Sequence, residues 1–98
     1  MSVIDEIAAE RRRQVEVEGF TAEYDDRNDD GEMARAAACY AVCAAGGWGI
    51  DDEGISWPWD EAWWKPKNPR RDLIRAAALI VAEIERLDRA STAPATGS

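Results

Sequence analysis

The run that opens at Asn68-Pro69 constrains this chain more than any other stretch. Asparagine caps a helix well, and proline suits the first helical position, where a missing N–H costs nothing. Behind them Leu73, Ala77, Ile80, Ile84 and Leu87 recur at helical spacing, with Ile74 and Val81 beside them. That pattern predicts a long closing helix whose stripe faces a core. Asp72 falls near the positive end of its dipole, and Arg86 and Arg89 near the negative end. A helix of this length in a chain of 98 residues leaves room for one core, so residues 1–90 read as a single domain.

Two further helices complete the prediction. The first runs from Val3 to about Glu18, capped by Ser2 with Asp5 in its first turn, and is stopped by Gly19. Its stripe is Ile4, Ile7, Ala8, Arg11 and Val15, with the aliphatic stem of Arg11 serving as an apolar filler. The next starts after an acidic loop, with Asp29 as cap and Glu32 closing a capping box. Met33, Ala36, Ala37, Tyr40, Ala41 and Ala44 line one side, and Gly46-Gly47 ends it. So many alanines make a thin helix that neighbours can approach closely. No segment alternates long enough for a strand, and no internal repeat is present. The expected fold is all-α: a three-helix domain with a long tryptophan-rich loop. From Ser91 to Ser98 the residues are Ser, Thr, Ala, Pro and Gly, which predicts a disordered tail.

The net charge of −8 disfavours general nucleic-acid binding, because a phosphate backbone would be repelled. Asp5, Glu6 and Glu10 interrupt any apolar opening run, and no stretch has the length of a membrane span. A cytoplasmic protein without membrane contact is the expectation. So small a core also makes a homo-oligomer expected. Cys39 and Cys43, four apart on one helix face, suit neither a disulfide nor a zinc site in a chain without histidine, and read as small buried thiols. Asp26, Asn28, Asp30 and Gly31 match the first half of a calcium loop. The twelfth position is Ala37 where a bidentate glutamate is needed, so no metal is expected.

Function is expected in the loops. The tract from Trp57 to Arg71, WPWDEAWWKPKNPRR, places Trp57, Trp59, Trp63 and Trp64 just before Lys65, Lys67, Arg70 and Arg71. Some of the rings are needed to close the end of a thin bundle, and Trp63 and Trp64 belong to a short helix begun by Asp60. A ring left outside the core can stack on a base or another planar group. The cations surround the start of the last helix, where free N–H groups and the dipole favour phosphate. The plainer reading of these cations is compensation of an acidic surface.

Glu18-Gly19-Phe20-Thr21 followed by Asp25-Asp26, and Arg70-Arg71-Asp72 opening the closing helix, resemble the repeat domain of ryanodine receptors. Phe20 stands where that family has tryptophan, and its His-Pro segment has no counterpart here. The stretches AACYA and AEIERLDRA also make the chain similar to small proteins carried by bacteriophages and prophages. The first resemblance implies an all-helical module that binds nucleotide-like ligands; the second implies a phage setting.

Catalytic groups are sparse. There is no histidine, no serine in a nucleophile context and no glycine-rich phosphate loop. Glu85 and Asp88 have the spacing of one magnesium-holding pair in MazG-like nucleoside triphosphate pyrophosphohydrolases, but no partner pair occurs upstream. The expectation is therefore a non-enzyme without a cofactor. It would sequester a nucleotide-derived signalling molecule, as a phage anti-defence sponge does. Tryptophans of the tract, or Phe20 and Tyr24, would stack on the base. Lys65, Lys67, Arg70 and Arg71 would hold phosphates, and Asp25 or Asp26 would accept hydrogen bonds from ribose or base. The competing reading is a protein–protein adaptor or inhibitor with exposed tryptophan anchors and an acidic surface.

Overall fold

The computed structural model describes residues 2–46 and 56–92. Among the described residues four helices follow one another: α1 (Val3–Glu16), α2 (Ala22–Arg27), α3 (Glu32–Ala44) and α4 (Pro69–Thr92), with a 3₁₀ turn at Glu61–Trp63 before the last. No strand occurs among the described residues, and the all-α architecture holds. None of these helices is long and apolar enough to cross a membrane. Gly47 to Ile55, which include Trp48, and the tail from residue 93 onward lie outside the described residues. Ser91 and Thr92, read from sequence as tail, continue α4 instead.

The helix ends follow local chemistry. Ser2 accepts from the Asp5 N–H at 3.1 Å, and Asp5 accepts from the Ser2 N–H at 3.2 Å, a reciprocal capping box. Gly19 takes φ +77°, a left-handed turn that a side chain would strain, after which the Phe20 N–H donates back to Gln14 O at 2.9 Å. Thr21 then caps α2 by accepting from the Tyr24 N–H at 3.2 Å. At the start of α4, the Asn68 side chain accepts from Arg71 N–H at 2.9 Å, and Asp72 accepts from the Lys67 N–H at 2.8 Å. The expected Asp29 cap on α3 is displaced. Gly31, at φ +79°, occupies the cap position, and Glu32 reaches back to accept from the Asp30 N–H at 2.7 Å.

α4 is the spine. α3 packs along it most extensively, α1 packs on it less, and α2 touches it lightly. With the rise of a helix, its 24 residues span about 36 Å. At the α3–α4 contact small residues meet: Ala36 and Ala37 of α3 cluster with Ala76 of α4, all at most 4% exposed. Such backbones approach closely and leave volume at the end of the seam. Phe20, Tyr40 and Leu79 occupy part of it, and Trp57, Trp59 and Trp64 pack against that cluster.

Two sequence-based stripes are corrected. On α4, Leu73, Ile80, Ile84 and Leu87 are 52%, 48%, 52% and 51% exposed, and the buried side is Ile74, Ala76, Ala78, Leu79 and Ala82. α4 carries two apolar faces, and α3 takes the one whose alanines permit close approach; bulk alone does not select the buried face. On α1, Ile4 is 73% exposed, whereas the buried positions are polar, Glu10 and Gln14 at 2% each. Arg11 leaves its filler role as well. It is drawn between Asp25, at 2.7 Å, and Glu85, at 3.3 Å.

Candidate functional site

The tryptophan tract folds back over the α3–α4 seam, and its rings interlock. Trp57 meets Tyr40, Trp59 and Trp64 edge to face, with centroids 5.7, 5.5 and 4.9 Å away. Trp64 also tilts over Tyr40 at 4.7 Å. These geometries suit the ring quadrupoles. The polar handles are satisfied: Trp57 Nε1 donates to Asp60 O and Trp59 Nε1 to Asn28 Oδ1, both at 3.0 Å. Asp60 caps the 3₁₀ turn that carries Trp63, accepting from the Ala62 N–H at 2.8 Å. Trp63 is half exposed and makes no ring contact among the described residues.

Under these rings lies a cavity of about 20 Å³, walled by Phe20, Tyr40, Trp57, Trp59 and Trp63. Gln14, Glu18, Lys65 and Arg75 bring polar groups to it. The volume suits one water molecule and is far below the roughly 300–1,000 Å³ of a drug-sized pocket. Its polar lining is unbalanced. Gln14 Oε1 and Arg75 Nε are both buried without a hydrogen-bond partner. Arg75 is otherwise pinned: it donates to the Lys65 carbonyl, and its guanidinium sits 5.8 Å from the Tyr40 ring centroid. The Lys65 N–H in turn donates to the Tyr40 hydroxyl at 3.4 Å. Burial pushes the Tyr40 pKa up, against the lowering effect of that bond and of Arg75.

The residues singled out from sequence divide into three groups. Phe20, Trp57, Trp59, Trp63 and Lys65 meet at the cavity, and Trp64 backs it through Tyr40. Tyr24, Asp25 and Asp26 belong to α2 and face elsewhere. Tyr24 stacks on Phe20 with 4° between the rings, and Asp25 is fully buried against Arg11. Burial raises the Asp25 pKa even against the Arg11 charge. Asp26 binds Arg89 at 2.8 and 3.1 Å, and Asn28 is taken by Trp59, so the calcium-like spacing serves local bonding.

Lys67, Arg70 and Arg71 form the third group, at the start of α4. Arg70 pairs with Glu6 at 2.7 Å, its own side chain 65% exposed. Arg71 is drawn into a buried cluster on Glu10, which also accepts from Arg13 at 2.8 and 2.9 Å. Burial alone would raise the Glu10 pKa, but the bonds and charges of Arg13 and Arg71 outweigh it and hold the group below its ordinary value. No carboxylate pairs with the Lys65 or Lys67 side chain among the described residues. Lys65 and Lys67 are therefore the cations of the tract that carry uncompensated charge.

Sequence reasoning missed Gln14 and Arg75. Gln14 follows Glu10 by one helical turn, and two polar residues buried in that spacing signal a polar seam. Arg75 follows Arg71 by the same step, and its long side chain brings the guanidinium to the Tyr40 ring. Glu85, half of the magnesium-like pair, is bonded to Arg11. Among the described residues no group of His, Cys, Asp or Glu is placed to hold a metal ion. Cys39 is buried and Cys43 half-buried. The cavity brings together aromatic rings, the Gln14 amide, the Arg75 guanidinium and one lysine, Lys65.

Comparison with family models, curated proteins and solved structures finds no match to this chain.

Proposed function

We propose that the protein is a non-enzymatic binding module that takes a planar, anion-bearing molecule into the aromatic cavity. A nucleotide-derived signal is the class that fits best. The observation that carries this reading is that two residues lining the aromatic cavity, Gln14 and Arg75, each bury a polar atom without a partner, Oε1 and Nε. Buried polar atoms without partners are costly, so a ligand that supplies a donor to Gln14 and an acceptor to Arg75 recovers that cost on binding. Trp63 is the movable wall, being half exposed on a one-turn element. Its displacement admits a ring beside Trp57, and Lys65 meets the anionic group.

Capture without turnover fits a chain with no histidine and no activated nucleophile. The resemblances to ryanodine-receptor repeats and to phage proteins support the same reading: a homo-oligomeric sponge in the cytoplasm that depletes a nucleotide signal. The test is a thermal-shift screen against mono-, di- and cyclic nucleotides and ADP-ribose derivatives, with and without magnesium. A ligand at a hundredfold its Kd raises stability by roughly 2.7 kcal/mol. Chemical recovery of unchanged ligand supports capture, and consumption that requires magnesium overturns the non-enzymatic reading.

A second reading has its own observation. Trp63 is a large exposed aromatic on an acidic protein, the make-up of an anchor for a protein partner's pocket. An adaptor of this kind loses its partner on Trp63→Ala and keeps it on Arg75→Ala, whereas a slot binder is weakened by both.

A further inference from the structure

Leu73, Ile80, Ile84 and Leu87 stand in one row on α4, each about half exposed, on the side opposite the buried Ala78 and Ala82. With Ala77 between them, the row advances in alternating steps of four and three residues, the repeat by which one helix packs along another. From Leu73 to Leu87 it extends about 21 Å. Val81 lies beside the row, where Ile4 and Ile7 of α1 form a shallow groove with it, so the apolar face continues onto a second helix. We propose that this face docks a second copy of the chain, α4 against α4 in antiparallel register, as a two-fold dimer.

Charge and volume choose this occupant and this direction. In a parallel pair Ala77 would face Ala77 and leave a gap, and Arg70, one repeat before Ala77, would face Arg70. The antiparallel register sets Ala77 of one copy against Leu87 of the other and Ile80 against Ile84, so small meets large and Arg70 is carried away from its like. Glu83, at the margin of the row, brings no net charge to the seam because Arg86 pairs with it at 2.7 Å. A stable dimer takes roughly 800 Å² from each partner. Four half-exposed branched side chains, continued by Ile4 and by Val81 and Ile7 in the groove, supply the apolar part of such an interface. Monomers rarely leave extended apolar patches open. The aromatic cavity lies on the α3 side of α4, so this dimer and the ligand reading stand or fall separately.

Sedimentation of the full chain across a concentration series tests the proposal. The expected result is a two-chain mass at micromolar concentration that Ile84→Glu reduces to one chain with its helical circular dichroism intact. Val17→Glu, an exposed change off the row, keeps the two-chain mass. A one-chain mass for the parent at every concentration overturns the proposal and hands the face to a different protein; so does a two-chain mass that survives Ile84→Glu. Mild oxidation of Ser91→Cys reads the direction. No interchain crosslink beyond that of the parent is expected, and a rapid one overturns the antiparallel register.

Discussion

Trp59 Nε1 donates to Asn28 Oδ1 at 3.0 Å, tying the tryptophan tract to the end of α2 across 31 positions of sequence. Asn28 is itself held, donating from Nδ2 to Tyr24 O at 2.9 Å. This bond fixes which face of Trp59 turns to Phe20 and so shapes the cavity wall. Trp59→Phe keeps a ring but strands the Asn28 oxygen, which is 8% exposed as a residue. The expected loss, read by urea denaturation, is about 1–3 kcal/mol. Asn28→Ala should cost a similar amount and release the Trp59 indole N–H to exchange faster with solvent.

Glu10 holds the α1–α4 contact, bonded to Arg13 and Arg71 with its own side chain out of solvent. Glu10→Gln removes the charge partner of Arg71 and one of the two partners of Arg13, which keeps Glu18 at 3.1 Å, at an expected cost of about 1–3 kcal/mol. That is a large share of the roughly 5–15 kcal/mol of a typical domain. The pH dependence follows from its lowered pKa. In the folded state Glu10 stays ionised below its ordinary value of 4.5, so its stabilisation is full above that value and is lost as pH falls through the lower folded pKa. Asp25, with a raised pKa, acts in the opposite sense, losing stability as pH rises from its ordinary value through the folded one. Thermal melts between pH 3 and 6 should show a shallower acid loss in Glu10→Gln than in the parent.

The α3–α4 seam depends on small side chains. Ala76 is buried in the cluster it shares with Ala36 and Ala37 of α3, and Ala76→Leu forces the helices apart at an expected cost of about 1–3 kcal/mol. A melt that shows no loss would mean that the buried face of α4 is assigned wrongly.

These contacts also show what the sequence could reveal. The starts of α1 and α4 were legible because Ser2 with Asp5 and Asn68-Pro69 act through bonds a few residues long, whereas α1 stops at Glu16, two residues early, and α4 runs on through Thr92. The buried face of α3 was legible because its two bulkiest side chains, Met33 and Tyr40, stand two turns apart with Ala36 and Ala37 between them. α2 escaped notice. Its six residues are too few to be stable alone, and its order comes from the Thr21 cap and contacts to the rest of the fold. The burying face of α4 was misread because two apolar faces compete, and only the position of α3 decides between them. For the site, the tryptophans and Lys65 were legible by their density. Gln14 and Arg75 were not, since a polar side chain declares itself only when the fold leaves it buried and unmatched.

Arg75 separates the cavity from the basic start of α4. Arg75→Ala should lower affinity for a planar anion tenfold or more, corresponding to about 1.4 kcal/mol for each factor of ten. Arg70→Ala, whose side chain pairs with Glu6 away from the cavity, should leave affinity nearly unchanged. Calorimetric titration of both variants against one ligand reads the difference.

Titration of intrinsic tryptophan fluorescence with a nucleotide panel tests the central claim most directly, because Trp57, Trp59 and Trp63 wall the cavity. The account predicts a saturable change with at least one ligand, weakened by Arg75→Ala and by Trp63→Ala, with the ligand recovered intact. A panel without response well above micromolar concentration, or binding undiminished in Arg75→Ala, would contradict it.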